Sequence, residues 1–128
     1  MSKISIFTAA LFAMLGVIFG AFGAHYLKTI FAPDVLSSFE TGVRYQMYHS
    51  FALLFVGMYM KETTTISKWV YLLFSCGILL FSGSIYALCY LKSQGQIGVT
   101  GLGIMTPIGG VCFIVAWFLV MCSMYRKQ

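Results

Sequence analysis

Most of the residues that could do chemistry fall in one stretch, Glu40-Thr41-Gly42-Val43-Arg44-Tyr45-Gln46-Met47-Tyr48-His49-Ser50, which runs straight into an apolar segment at 51–60. On a helix, Glu40 and Arg44 stand one turn apart in the acid-first order that favours an ion pair, and Tyr48 lies a turn further on. Tyr45 and His49 form a second i,i+4 pair, while Gly42, Gln46, His49 and Ser50 fill the next sector. Only Val43 and Met47, continued by Phe51, Leu54 and Met58, leave an apolar stripe. A helix end this polar must face protein, water or lipid headgroups over most of its circumference. Arg44 there is suited to anchoring at headgroups or meeting an anionic group. A neutral His49 is suited to a hydrogen bond across to another helix, to ligand binding or to handling a proton.

Beyond that stretch the chemistry is thin. No Asp or Glu lies inside an apolar run, and no serine has a histidine at a spacing that would activate it, so an enzyme is the weakest reading. Cys76, Cys89, Cys112 and Cys122 show no C-x-x-C or Cys/His spacing and read as free thiols packed like small hydrophobes. Gly98-Val99-Thr100-Gly101-Leu102-Gly103 has the wrong order for a dinucleotide-binding turn. Two histidines, His25 and His49, are the whole support for haem ligation. No metal and no cofactor is expected.

The elements that must position these groups are membrane helices. The chain has 128 residues, 60% hydrophobic and 9% charged, with a mean hydropathy of +0.92. A soluble domain carries about 25% charged residues, so this chain has too little charge to cover a surface in water. Four windows are apolar over roughly the 20 residues a bilayer needs: 4–27, 45–60, 69–91 and 104–125. They are continuous rather than alternating, which excludes a transmembrane β-barrel. The apolar run at 4–27 is longer than a signal core and reads as a retained first span. The expected architecture is an all-α, single-domain, four-span membrane bundle.

The net charge of +5 does not point to nucleic acid, because its cations sit at the ends of the apolar runs. Lys3, Lys61, Lys68, Arg126 and Lys127 fall on one side of the membrane, and Lys28, Arg44 and Lys92 on the other. The positive-inside rule then places both termini in the cytoplasm.

Within the first span, Gly16, Gly20 and Ala24, with Gly23 alongside, form a small-residue face for another helix, and His25 closes the span. Pro33-Asp34 is a helix-start signal; the following residues predict a short helix lying at the membrane surface and bending into the second span near Gly42. The segment 61–68 reads as a polar turn. The third span carries Ser82-Gly83-Ser84, with Gly83 and Ala87 as a second small-residue step. A flexible loop is expected over 92–103. The fourth span opens on Thr106-Pro107-Ile108-Gly109-Gly110, with Pro107 in a first turn. Threaded up and down, the chain gathers His25, Glu40, Arg44, Tyr45, Gln46, Tyr48, His49, Ser82, Ser84 and Thr106 into one layer, with Gly109 and Gly110 as close-packing positions. His49 is expected to bond to His25, to a serine of the third span or to a carbonyl freed near Pro107.

The motifs Gly20-Ala21-Phe22-Gly23-Ala24-His25, Tyr45-Gln46-Met47-Tyr48-His49, Phe81-Ser82-Gly83-Ser84-Ile85-Tyr86, Thr106-Pro107-Ile108-Gly109-Gly110 and Ala116-Trp117 resemble, in that order, domain-of-unknown-function family 423. These are the YwdK/YgdD-like small bacterial membrane proteins, distantly similar to mitochondrial transmembrane protein 256. Tyr26 departs from the family, which often has glycine there. The resemblance implies a four-helix protein of the bacterial inner membrane and implies no reaction. The functional expectation is a non-enzymatic protein whose outer-leaflet pocket, with Arg44 at an anionic group and His49, Gln46 and Tyr45 as lining, binds a lipid or small amphiphile or docks a membrane-protein partner. The alternative is a transporter or channel subunit, a homo-oligomer built on the Gly16/Gly20 or the Gly83/Ala87 face.

Overall fold

The computed structural model describes residues 2–60, 64–96 and 100–125, all in helices and short connections. Helix α1 (Ser2–Phe22) runs on through a π-helical turn, Gly23–Leu27, to a last turn at Lys28–Ile30. Helix α2 spans Pro33–Tyr59, α3 spans Thr65–Ser93 and α4 spans Thr100–Tyr125. Three segments are long and apolar enough to cross a membrane: Lys3–Ile30, Thr65–Ser93 and Gly101–Tyr125, with mean hydropathies of 2.2, 2.0 and 2.2. Helix α2 matches them in length, at 27 residues or about 40 Å, but its polar first half dilutes its hydropathy. Large apolar side chains stand exposed all round α1 and α4, among them Phe7, Val17, Ile114 and Met121, as befits helices solvated by lipid.

Helix ends follow local chemistry. Pro33 occupies the first turn of α2 with Asp34 beside it, as the sequence signals. Thr64 caps α3, its hydroxyl accepting from the Ser67 N–H at 3.2 Å. At the other end, Gly95 at φ 75° closes α3, with its N–H on the Lys92 carbonyl at 3.0 Å and the Gln96 N–H on the Leu91 carbonyl at 3.0 Å.

Several boundaries differ from expectation. The short surface helix is not a separate element, because α2 runs unbroken through Gly42. Ser38 and Thr41 satisfy their hydroxyls within it by bonding back to the Asp34 and Ser37 carbonyls, each at 3.0 Å. Gly42 is a contact point and not a hinge: a Cβ there would stand 2.9 Å from Tyr86 and 3.1 Å from Ile85. Pro107 lies well inside α4 rather than in its first turn, since the helix begins at Thr100; the bond it forgoes is to the carbonyl of Gly103. The turn and loop expected over 61–68 and 92–103 are shortened by the longer helices. Residues 61–63 and 97–99 lie outside the described residues, as do Arg126 and Lys127, which with Lys61 carry most of the charge argument for the termini.

Successive helices pack antiparallel. Along α1 and α2, Ile6 meets Gly57, Met47 meets Gly16, Val43 meets Gly20 and Phe39 meets Gly23. Along α2 and α3, Gly42 lies against Ser82 and Tyr86, and His49 against Phe74. Along α3 and α4, Thr106 meets Ser84, Gly109 meets the Phe81 backbone and Phe113 covers Gly77. Helices α2 and α4 therefore run parallel, with α3 between them. Leu53, Val70, Phe74 and Ala116 are wholly buried at the centre of the packed helices. Between helices in lipid, van der Waals contact and hydrogen bonds hold the fold, because burial from lipid adds little.

Candidate functional site

The polar residues of α2 divide between two faces. Gln46, only 2% exposed, points inward and bridges three helices. Its Nε2 donates to the Phe12 carbonyl of α1 at 2.8 Å, and its Oε1 accepts from the Tyr86 hydroxyl of α3 at 2.7 Å. Gly16 lies beside the first bond. It sits one turn after Phe12, and what its missing side chain admits is Met47: a Cβ there would lie 2.6 Å from Met47 Sδ but only in ordinary contact, 3.6 Å, with Gln46 Nε2. Nearby, the Ser82 hydroxyl donates to the Gly42 carbonyl at 2.7 Å, and Ser50 to the Gln46 carbonyl at 2.6 Å. This knot ties α1, α2 and α3 together in the interior.

The other face carries His49. Its Nδ1 lies 2.7 Å from the Tyr45 carbonyl, and its Nε2 accepts from the Trp117 indole N–H at 3.3 Å. A carbonyl can only accept and an indole only donate, so the ring is the neutral Nδ1–H tautomer. It stacks on Phe113 with centroids 3.4 Å apart and planes 5° from parallel. Tyr45 lies over Phe81 at 4.7 Å. Together these rings line a slot of about 600 Å³ between α2 and α4, with α3 as its floor. Tyr48, Ile114 and Trp117 form its rim and are 58%, 71% and 48% exposed, so the slot opens sideways rather than into the protein.

The expected layer is thus assembled in part. Ser84 joins Thr106 at 2.6 Å; since Ser84 also bonds the Phe81 carbonyl at 3.0 Å, the shared proton comes from Thr106. Glu40 and Arg44 form no ion pair: Arg44 Nη2 instead donates to Thr41 Oγ1 at 3.1 Å, and both side chains are exposed. Gln46 and Arg44 are not part of the slot lining. His25 is exposed on the π-helical turn and bonds to none of the described residues, so it is not the partner of His49. Neither is a third-span serine nor a carbonyl near Pro107; Trp117 and the Tyr45 carbonyl take those places.

Of the packing glycines, Gly16, Gly20 and Gly23 serve α2, and Gly109 serves α3. Gly110 borders the slot and touches Phe81 only at 3.9 Å. Gly83, expected to pack with Ala87, has nothing within 4 Å. Sequence reading missed Phe81, Phe113 and Trp117 as lining, because aromatic residues in an apolar run look alike until their partners are known. The i,i+4 spacing of Phe113 and Trp117, just below Gly109-Gly110, was the available signal.

The family described as "Protein of unknown function (DUF423)" matches residues 19–110. The chain belongs to this family. The match takes in the π-helical turn, all of α2 and the slot as far as Gly110, and stops short of Phe113 and Trp117. The DUF423 chain is 41% identical over 124 residues to a UPF0382 membrane protein of Staphylococcus aureus (strain bovine RF122), covering 97% of both chains. It is 39% identical over 126 residues to the UPF0382 membrane protein YwdK of Bacillus subtilis, covering 94% of this chain and 95% of that one. No solved structure matches it. With relatives named membrane proteins and three helices able to cross a bilayer, this DUF423 chain is a membrane protein. Chemically the slot offers aromatic faces and one imidazole whose nitrogens are both engaged, with no carboxylate in its lining.

Proposed function

We propose that the chain is a non-enzymatic four-helix bundle of the bacterial inner membrane whose lateral slot binds a lipid chain or small amphiphile. A crossing by α2 is supported by its packing along the lengths of α1 and α3, both apolar enough to span. The observation that carries the function is the slot: aromatic, open at the rim and facing the side where lipid lies. Pockets for apolar ligands are built this way, with a few fixed polar groups among apolar walls. An imidazole locked in its neutral form speaks for a wall rather than for an acid–base catalyst.

Gly110 gives a direct test, since its missing side chain leaves open space at the slot. Gly110→Leu is expected to fold normally and to weaken lipid retention about tenfold, as overfilled cavities do, measured by native mass spectrometry of protein extracted with its lipids. Lipid adducts that are the same in the wild type and in Gly110→Leu would overturn the proposal.

One observation favours the homo-oligomer as a second reading. Gly83 is exposed on α3 beside exposed Leu79 and Cys76, a face that none of the described residues covers. Gly16 and Gly20 are already occupied by α2, so the oligomer would use this face alone. Gly83→Leu is expected to change stability by less than about 0.5 kcal/mol and to leave the mass in mild detergent that of one chain. A multimer that Gly83→Leu dissociates would establish the second reading instead.

A further inference from the structure

Above the slot, on the same three helices, lies a smaller groove of about 280 Å³ whose lining includes Ser38, Thr41, Ile85, Lys92 and Thr106. The two share no lining residue but adjoin along each helix: Thr41 stands one turn from Tyr45, Ile85 one turn from Phe81, and Thr106 one turn from Gly110. The two ends differ in chemistry: aromatic rings line the lower one, while the upper sets three hydroxyls and one ammonium among the apolar side chains of Val35, Ile85 and Leu88. We propose that they form a single site for one membrane lipid with an anionic, hydroxyl-bearing headgroup of the phosphoglycerol type, the phosphate on Lys92 and an acyl chain lying in the slot. This rests on the reading of the slot given above and adds the class of lipid.

The polar groups of the upper end select that class. The Ser38 and Thr41 hydroxyl protons are already given to the Asp34 and Ser37 carbonyls, and that of Thr106 to Ser84. What remains at the hydroxyls is lone pairs, which accept hydrogen bonds from a ligand and cannot donate to its phosphate. The donor is the Lys92 ammonium. It forms no ion pair or side-chain hydrogen bond among the described residues, and Asp34 in the first turn of α2 is not paired with it. Arg44, bonded to Thr41 at 3.1 Å, brings a second cation to the rim. An anionic phosphate therefore meets positive charge, and glycerol hydroxyls find acceptors. A choline headgroup has no proton to donate to these acceptors, and a zwitterionic ethanolamine headgroup brings no net negative charge to the Lys92 ammonium.

The test uses the full chain in phosphatidylcholine vesicles with Trp69→Phe, which leaves Trp117 at the slot as the fluorophore. Phosphatidylglycerol or phosphatidylcholine with dibrominated chains is titrated in as quencher. The brominated phosphatidylglycerol is expected to quench at about fivefold lower mole fraction, the preference one interfacial lysine supplies. Lys92→Gln should remove that preference and keep the quenching, and Gly110→Leu should reduce quenching by both lipids. Equal quenching by the two lipids that Gly110→Leu still reduces, or a preference that survives Lys92→Gln, would overturn the headgroup assignment and leave the slot reading standing. Quenching by both lipids that is indifferent to Gly110→Leu would overturn the slot reading itself. Competition by water-soluble glycerol phosphate would assign Lys92 to a soluble anion and overturn the lipid.

Discussion

Gly109→Ala unfolds this protein more readily than any other single methyl group added along α4. The new Cβ would land on the backbone nitrogen of Phe81 and 2.8 Å from its Cα. A side-chain tip can swing away from such a contact, but a helix backbone cannot. Helices α3 and α4 would have to part, which also strains the Ser84–Thr106 bond and lifts Phe113 off Gly77, where a Cβ would lie only 2.5 Å from the ring. Overpacking of this kind costs about 3 kcal/mol. The neighbouring change supplies the control: Gly110→Ala meets Phe81 only at 3.9 Å and should shift stability by less than about 0.5 kcal/mol. Unfolding in mixed micelles, titrated with denaturing detergent and followed by circular dichroism, separates the two. Equal stabilities for the pair would show that α3 and α4 do not approach as closely as described.

Gln46→Leu has the second-largest expected effect. Leucine keeps the volume but leaves the Tyr86 hydroxyl without its acceptor and sets an apolar group on the Phe12 carbonyl. The carbonyl keeps its bond within α1, so the hydroxyl dominates the cost, about 2 kcal/mol. Tyr86→Phe alone should cost about 1 kcal/mol, since Gln46 keeps its bond to α1. In the double variant neither partner is stranded, and its loss should fall short of the sum by about 1 kcal/mol, within the range of interhelical hydrogen bonds in membranes. The same detergent unfolding measures all three proteins. Strict additivity would mean that the two side chains do not interact.

These two sites show what could be read from the chain alone. The Gly16/Gly20/Gly23 face was legible because small residues at helical spacing have one common use in a membrane, and α2 lies on it. Gln46 and His49 were legible as interior groups, since an amide and an imidazole deep in an apolar helix need partners. Their division between neighbours was not: i,i+3 positions lie only about 60° apart around a helix, and whether each meets the α1 side or the α4 side depends on which helix stands there. The Glu40–Arg44 pair followed from spacing alone, yet exposed charges one turn apart gain little from pairing, and Arg44 settles on Thr41 instead. Gly83 and Gly109 look equivalent as letters; only the neighbour that arrives, Phe81 against one and nothing against the other, tells them apart. The π-helical turn at Gly23–Leu27 carries no signature in residue type and emerges only from the backbone.

The parallel arrangement of α2 and α4 has a mechanical consequence. Each is fastened to α3 along much of its length, but the hydrogen bond and ring contacts that join them directly, among the described residues, all involve His49. The pair is therefore clasped near mid-depth and unlatched above it, like a peg with one spring. Because Thr106 and Gly109 hold that part of α4 on α3, a ligand of the kind proposed would have to reach the slot from the side, past Tyr48 and Trp117.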